Sequence, residues 1–173
     1  MATLLLGIDI GTYSSKGVLC RPDGAILAEA RADHEMSIPR PGYAEHDADG
    51  VWWADFVKIS QALSAKVPAG DQIAAVAVSA IGACLLPVDK LGKPLRPGIL
   101  YGVDIRASDQ IDQLEQQYGR AALVELGGMR LTSQAVGPKI LWLKQQEPEI
   151  YNAAHKFLTA TSYVIFKLTG DYV

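Results

Sequence analysis

Apolar positions cluster at the start of the chain. Residues 4–10 are almost all apolar, the pattern of a strand buried on both faces. Gly11 to Ser14 read as a turn, and residues 15–20 (SKGVLC) as a second strand. Arg21-Pro22-Asp23-Gly24 has Pro at the second and Gly at the fourth position of a tight turn. Residues 25–31 then predict a third strand. Three short strands joined by tight turns form an antiparallel meander, not the β-α-β opening of a dinucleotide-binding domain.

The pattern then changes period. Residues 37–47 hold two prolines and a glycine with no periodicity, so they read as loop. Asp47 is placed to cap a helix whose apolar positions are Trp52, Trp53, Phe56, Ile59 and Leu63. Pro68 to Asp71 end that unit; residues 72–79 predict a strand, and residues 81–88 another. Asp89 to Gly92 form a turn, and Pro94 and Pro97 mark a loop into Ile99. Helices are predicted over about 105–118, 139–146 and 162–168, with Gly127-Gly128 as a break, Pro148 starting a short turn and Gly170 as a stop. Strands lead and helices follow, which gives an α/β architecture with a mixed sheet.

Composition narrows the class of protein. The 173 residues are 49% hydrophobic and 20% charged, with a formal net charge of −3, as expected of one globular domain. Acids and bases are interspersed, so neither nucleic acid nor a membrane surface is an expected partner. No apolar run is long enough for a transmembrane helix, and the N-terminus lacks a signal-peptide pattern. Cys20 and Cys84 sit in apolar, strand-like surroundings and read as free thiols of a reducing, cytoplasmic compartment. The chain stops just after a helical pattern, at what looks like the start of another strand, so the front part of something longer is expected.

The candidate chemistry lies at the first turn. Asp9 ends the first strand, and a carboxylate buried there is costly unless paired or metal-bound. A Mg²⁺ ion, which takes one or two protein carboxylates, would satisfy it. Gly11 allows backbone N–H groups to approach an anion. Thr12, Ser14 and Lys16 are spaced by two, so in an extended chain they share one face, and such a set suits a polyphosphate. The plainer alternative is an ordinary hairpin closed by local hydrogen bonds. Neither G-x-x-x-x-G-K-[ST] nor G-x-G-x-x-G is present.

GIDIGTYSSKGVL resembles the first phosphate motif of the FGGY carbohydrate kinases, in the actin-like ATPase superfamily. PRPGYAEHDADGVWW, LLPVDKLGKPLRPGILY, GPKILWLKQQEPEIY and FLTATSYVIFKLTGDYV are similar to further segments of that family, in order. The resemblance covers essentially all of residues 1–173 and is strongest to xylulokinase-like members. It implies an α/β domain of ribonuclease-H-like (actin-like ATPase) fold, incomplete here, from a two-domain kinase. Such a kinase passes the γ-phosphate of ATP to a sugar hydroxyl with Mg²⁺. By this resemblance Asp9 helps hold the metal, and Gly11, Thr12, Ser14 and Lys16 face the phosphates. The family's catalytic Asp lies in a Gly-Asp motif further downstream, and Asp171 does not match it, so no catalytic residue is expected here and the isolated chain should be inactive.

On the sugar side, Gly82 and Ala83 stand where xylulokinases carry a Met-His pair, which enlarges the pocket and points away from xylulose itself. Tyr101, Asp104 and Arg106 resemble an aromatic-x-Asp-x-Arg sugar motif with one extra residue. The plainer reading makes Asp104 a helix cap and Arg106 half of a surface ion pair. Trp52, Trp53 and Trp142 are expected in the core. Glu45 and His46 are expected in a solvated loop or as helix caps. His34, His46 and His155 lack metal-ligand spacing, and Ser79 and Cys84 lack a base partner. A non-catalytic, sugar-responsive regulatory protein is the alternative function, and an actin-like or chaperone-type ATPase fits the later segments poorly. A homodimer is a further possibility, through the exposed face of an incomplete sheet.

Overall fold

The computed structural model describes residues 2–172, which divide into two compact units. The first comprises residues up to 36, 47–81 and 160 onward; the second comprises residues 37–46 and 82–159.

The first unit is built on a four-stranded mixed sheet. Its strands are β1 (Thr3–Ile10), β2 (Ser14–Cys20), β3 (Ile26–Asp33) and β5 (Gln72–Ala80), in the order β3-β2-β1-β5. β4 (Glu45–His46) belongs to the other unit. The meander β1-β2-β3 is antiparallel, as the sequence pattern predicts, and β5 runs parallel to β1, which makes the sheet mixed. β1 is not buried on both faces, however. Leu4, Leu6, Ile8 and Ile10 are buried, while Asp9 on the alternate face is exposed. The apolar run is continuous, but only one face has a helix to bury it.

That helix is α1 (Ala54–Ser64), reached through a widened π-type turn at Ala48–Trp53. The Asp47 carboxylate accepts from the N–H groups of Asp49 (3.0 Å) and Gly50 (2.9 Å), the cap the sequence indicates. Trp52, Phe56, Ile59 and Leu63 are buried at helical spacing, and Trp53 lies at their margin. The sheet admits α1 closely because β2 and β3 present small residues to it. A Cβ added at Gly17 would lie 2.4 Å from Ile59 Cγ2 and 3.1 Å from Leu63 Cδ1. Helix α6 (Ala160–Thr169) packs on β5 and on the π-type turn. There the Tyr163 hydroxyl donates to Asp49 Oδ1 at 2.6 Å, and Lys167 Nζ joins the same oxygen at 2.9 Å.

The second unit holds two small antiparallel pairs. β4 (Glu45–His46) pairs with β7 (Gly98–Ile99), and β6 (Leu86–Val88) with β8 (Lys156–Leu158). Its helices are α2 (Ser108–Tyr118), α3 (Arg120–Gly127), α4 (Val136–Gln146) and α5 (Pro148–Ala153). Leu85, Ile99, Ala107, Trp142 and Leu143 form its core. The strand predicted over 81–88 is shorter: only its last three residues pair as β6, and the chain turns at 82–83, where Ala83 has φ +36°. α4 starts three residues before its predicted onset. Pro138 is tolerated in its first turn because N–H groups there have no intrahelical acceptor. No strand begins at Asp171 or Tyr172, and Val173 lies outside the described residues.

Candidate functional site

The first turn closes as a two-residue hairpin. Ile10 pairs with Ser15 and Asp9 with Lys16, and the Gly11 N–H donates to the Ser14 carbonyl at 3.0 Å. A Cβ at Gly11 would sit 2.6 Å from that carbonyl oxygen, so glycine is required for closure. Thr12 and Tyr13 form the tip, and Tyr13 is exposed.

Ladder registers set what faces the solvent. Lys16 pairs with Arg31, Asp9 with Lys16, and Asp9 with Ser79, so Arg31, Lys16, Asp9 and Ser79 make one row across four strands. All four are exposed, on the face opposite α1. Gly7, Val18 and Ala77 continue this face into a shallow depression of about 340 Å³ that Asp9, Lys16 and Ser79 also line. Asp9 is exposed rather than buried, so it needs no metal to offset burial. Thr12 sits at the hairpin tip, so only Ser14 and Lys16 share a strand face. Asp9, Gly11, Thr12, Ser14 and Lys16 nonetheless come together at one corner of the sheet.

A magnesium nucleotide fits the groups present. Asp9 offers one accessible carboxylate, and Mg²⁺ bound with phosphates needs no more than one or two from the protein. No group of three or more His, Cys, Asp or Glu side chains placed to hold a metal occurs among the described residues, so a Mg²⁺ ion held by Asp9 would need phosphate oxygens and water as its other ligands. Lys16 supplies a cation one strand away.

The side chains expected to meet a sugar are all in the second unit. Gly82 is exposed, with open space where a Cβ would be. Ala83 lines a cleft of about 320 Å³ together with Leu123, Met129, Arg130, Thr132 and Gln134. Gln134 also covers the loop that follows Tyr101, since a Cβ at Gly102 would lie 3.2 Å from its Cγ, and Ser133 Oγ donates to the Gly102 carbonyl at 2.8 Å. Gln134 and Thr132 were not singled out in the sequence, because a polar loop residue carries no periodicity to mark it.

Asp104 and Arg106 are elsewhere than expected. Both are buried and paired with each other, Arg106 Nη2 to Asp104 Oδ2 at 2.7 Å and Nε to both carboxylate oxygens. Asp104 Oδ2 also accepts the Ala44 N–H at 2.8 Å, and Arg106 Nη1 lies 2.8 Å from Glu45 Oε1. The guanidinium stacks over Tyr43 at 4.1 Å and faces Trp142 at 5.0 Å. The pair is therefore neither a helix cap nor a surface bridge. Glu45 and His46, expected in a solvated loop or as helix caps, are buried as well: both lie in β4 paired with β7, and Arg96 and Arg106 approach the Glu45 carboxylate. Lys139 is buried, with its ammonium donating to the Ser133 carbonyl, and desolvation lowers its pKa. Burial pushes the nearby Cys84 thiol up to about 12, so it is no nucleophile. Both cysteines are free.

The chain matches known proteins over its whole length. The family description "FGGY family of carbohydrate kinases, N-terminal domain" matches residues 4–173. A xylulose kinase of Lactococcus lactis subsp. lactis (strain IL1403) is 31% identical over 170 residues, covering 98% of this chain and 33% of that protein. A glycerol kinase of Thermococcus onnurineus (strain NA1) is 27% identical over 177 residues, covering 100% of this chain and 36% of that protein. Among solved structures, a xylulose kinase from Rhodospirillum rubrum superposes with a TM-score of 0.93 at 27% identity, over 98% of this chain and 35% of that one. A gluconate kinase from Lactobacillus acidophilus gives 0.91 at 25% identity, over 99% of this chain and 34% of that one. The chain spans about a third of the length of the relatives it matches. It belongs to the FGGY family of carbohydrate kinases, as that family's N-terminal domain.

Proposed function

We propose that this chain is the nucleotide-phosphate and sugar-facing part of an ATP-dependent kinase acting on a hydroxyl of a pentulose or a related sugar or polyol. The observation that carries the reading is the corner formed by Asp9, Gly11, Thr12, Ser14 and Lys16, on the sheet face opposite α1. Phosphoryl transfer asks little covalent chemistry of a protein; it asks for positioning and for charge placed against the phosphates. Lys16 supplies positive charge, and the glycine turn supplies backbone donors. Asp9 would hold Mg²⁺, which neutralises phosphate charge when bound. The residue that takes the proton from the sugar hydroxyl is not among these 173 residues.

In the same reading the sugar meets the cleft that Ala83 lines, with Gly82 and Tyr101 at the neighbouring turns. Asp104 and Arg106 act indirectly, by holding the loop that begins at Tyr101. The relatives named above act on xylulose, glycerol and gluconate, so the acceptor class is wide. The small side chains at 82 and 83 favour an acceptor other than xylulose. The protein would act as a soluble cytoplasmic enzyme, and no helix among the described residues is long and apolar enough to cross a membrane. Self-association through the open sheet face and the β5 edge belongs to the same proposal.

The second reading, a sugar-responsive regulator on the same fold, is favoured by the Gly82-Ala83 departure alone. Sugar-dependent release of ADP by the full-length protein separates the two. A kinase releases ADP when its acceptor is added, whereas a regulator binds the sugar without turnover.

A further inference from the structure

On the α1 side of the phosphate turn lies a chain of polar side chains that the proposed chemistry does not use. Ser15 Oγ donates to Asp55 Oδ2 at 2.7 Å, and His34 Nδ1 meets the same oxygen at 2.7 Å. His34 Nε2 reaches the Gly11 carbonyl oxygen at 3.2 Å. Ser15 is fully buried, and the side chains of His34 and Asp55 are 6% and 10% exposed. His34 also donates its backbone N–H to the Tyr13 carbonyl at 3.1 Å. One residue thus holds two of the carbonyls of a turn whose tip is Thr12-Tyr13.

The protons can be counted. A carbonyl oxygen only accepts, so Nε2 carries a proton and donates it to Gly11. The contact between Nδ1 and the Asp55 carboxyl also needs a proton, which ties the ring orientation to Asp55. Asp55 in turn is fixed from α1 and from Ser15 of β2. The chain therefore runs from the rigid sheet and helix to the peptide between Gly11 and Thr12. All peptide bonds described are trans, so the Thr12 N–H points opposite to the Gly11 carbonyl, away from the His34 ring.

We infer that His34 is a positioning residue for the phosphate turn: by holding the Gly11 carbonyl it fixes the direction in which the Thr12 amide meets a nucleotide phosphate. The inference rests on the nucleotide reading of this turn given above.

The test compares two variants of the full-length protein. In His34→Gln the side-chain amide nitrogen falls near the place of Nε2, keeping the donor to Gly11 and losing the contact with Asp55. In His34→Asn it falls near the place of Nδ1, and the hold on Gly11 is lost. His34→Asn is expected to raise KM for MgATP about tenfold or more, with His34→Gln clearly nearer wild type and the sugar KM changed by less than about twofold in both. Amide hydrogen exchange across residues 12–14 is expected to be faster in His34→Asn than in His34→Gln. Asp55→Asn, which keeps the volume of the site, is expected to raise KM for MgATP as well. Equal KM for MgATP and equal exchange in the two histidine variants would overturn the inference, as would parallel rises in KM for both substrates. The exchange measurement needs no turnover. It decides the role of His34 even for a wild-type protein without kinase activity, an outcome that would count against the kinase reading alone.

Discussion

Asp9 and Lys16 stand directly opposite each other in the β1–β2 ladder, on the sheet face that α1 leaves open. Side chains so paired on neighbouring strands lie about 5 Å apart at Cβ. One acid and one base are held at the corner where the glycine turn begins.

The proposed function places phosphate handling and sugar binding on different residues. In the full-length protein, Lys16→Ala and Asp9→Ala are each expected to lower turnover about a hundredfold or more, since the first removes positive charge placed against the phosphates and the second the carboxylate proposed to hold Mg²⁺. Sugar affinity, read by calorimetry without nucleotide, is expected to stay near wild type. Equal loss of turnover and sugar affinity would make Asp9 and Lys16 structural.

The buried pair Asp104–Arg106 predicts a different phenotype. Asp104→Ala leaves the Arg106 guanidinium stacked between Tyr43 and Trp142 without its closest partner, a change expected to cost about 3–5 kcal/mol of stability. Denaturant unfolding measures this. A stability near wild type together with a raised sugar KM would instead restore Asp104 as a sugar ligand.

How legible this was in the sequence depended on the range of the interactions. The meander, the Asp47 cap and the Gly128 and Gly170 stops are set by residues close together in the chain, and they lie where the pattern puts them. The burial of β1 did not follow from its apolar run, because a strand cannot reveal which of its faces receives a helix. Asp104 and Arg106 looked like surface residues because their other partners, Ala44 and Glu45, are some sixty residues away in the chain. His34 gave no signal for the same reason: Asp55 and Gly11 lie 21 and 23 residues from it. The corner that brings Asp9, Gly11, Thr12, Ser14 and Lys16 together was readable because they form one short segment. The cleft beside Ala83 was half readable, since Gln134 joins it only through the fold.

Thiol chemistry checks the burial of the second unit. With its thiol pushed up to about 12 by burial, Cys84 is expected to resist alkylation at pH 8 in the folded protein, whereas the half-exposed Cys20 reacts. Mass spectrometry after brief iodoacetamide treatment is expected to find label on Cys20 alone, with Cys84 labelled once denaturant is added. Rapid labelling of Cys84 in the native protein would contradict its placement.

Acid titration probes the link between the π-type turn and α6. Burial raises the Asp49 pKa, but the Tyr163 hydroxyl and Lys167 ammonium outweigh it, and the net shift is downward. A depressed carboxyl stabilises the fold at pH values above the ordinary carboxylate range and loses that contribution as pH falls through its folded value. Asp49 is about half exposed, so the effect is expected to be at most about 1 kcal/mol. The stability difference between wild type and Asp49→Asn is therefore expected to be present at pH 7 and to vanish in acid. A difference that is unchanged in acid would mean that the carboxylate charge plays no part.

The central claim is that the corner at Asp9 to Lys16 serves a sugar kinase. The most direct measurement is ADP production by the full-length protein with MgATP and a panel of ketoses, polyols and aldonates. ADP release that depends on one of these acceptors, with one phosphorylated product formed per ADP, is the predicted result. Sugar binding without acceptor-dependent ADP release, across the whole panel, would contradict it.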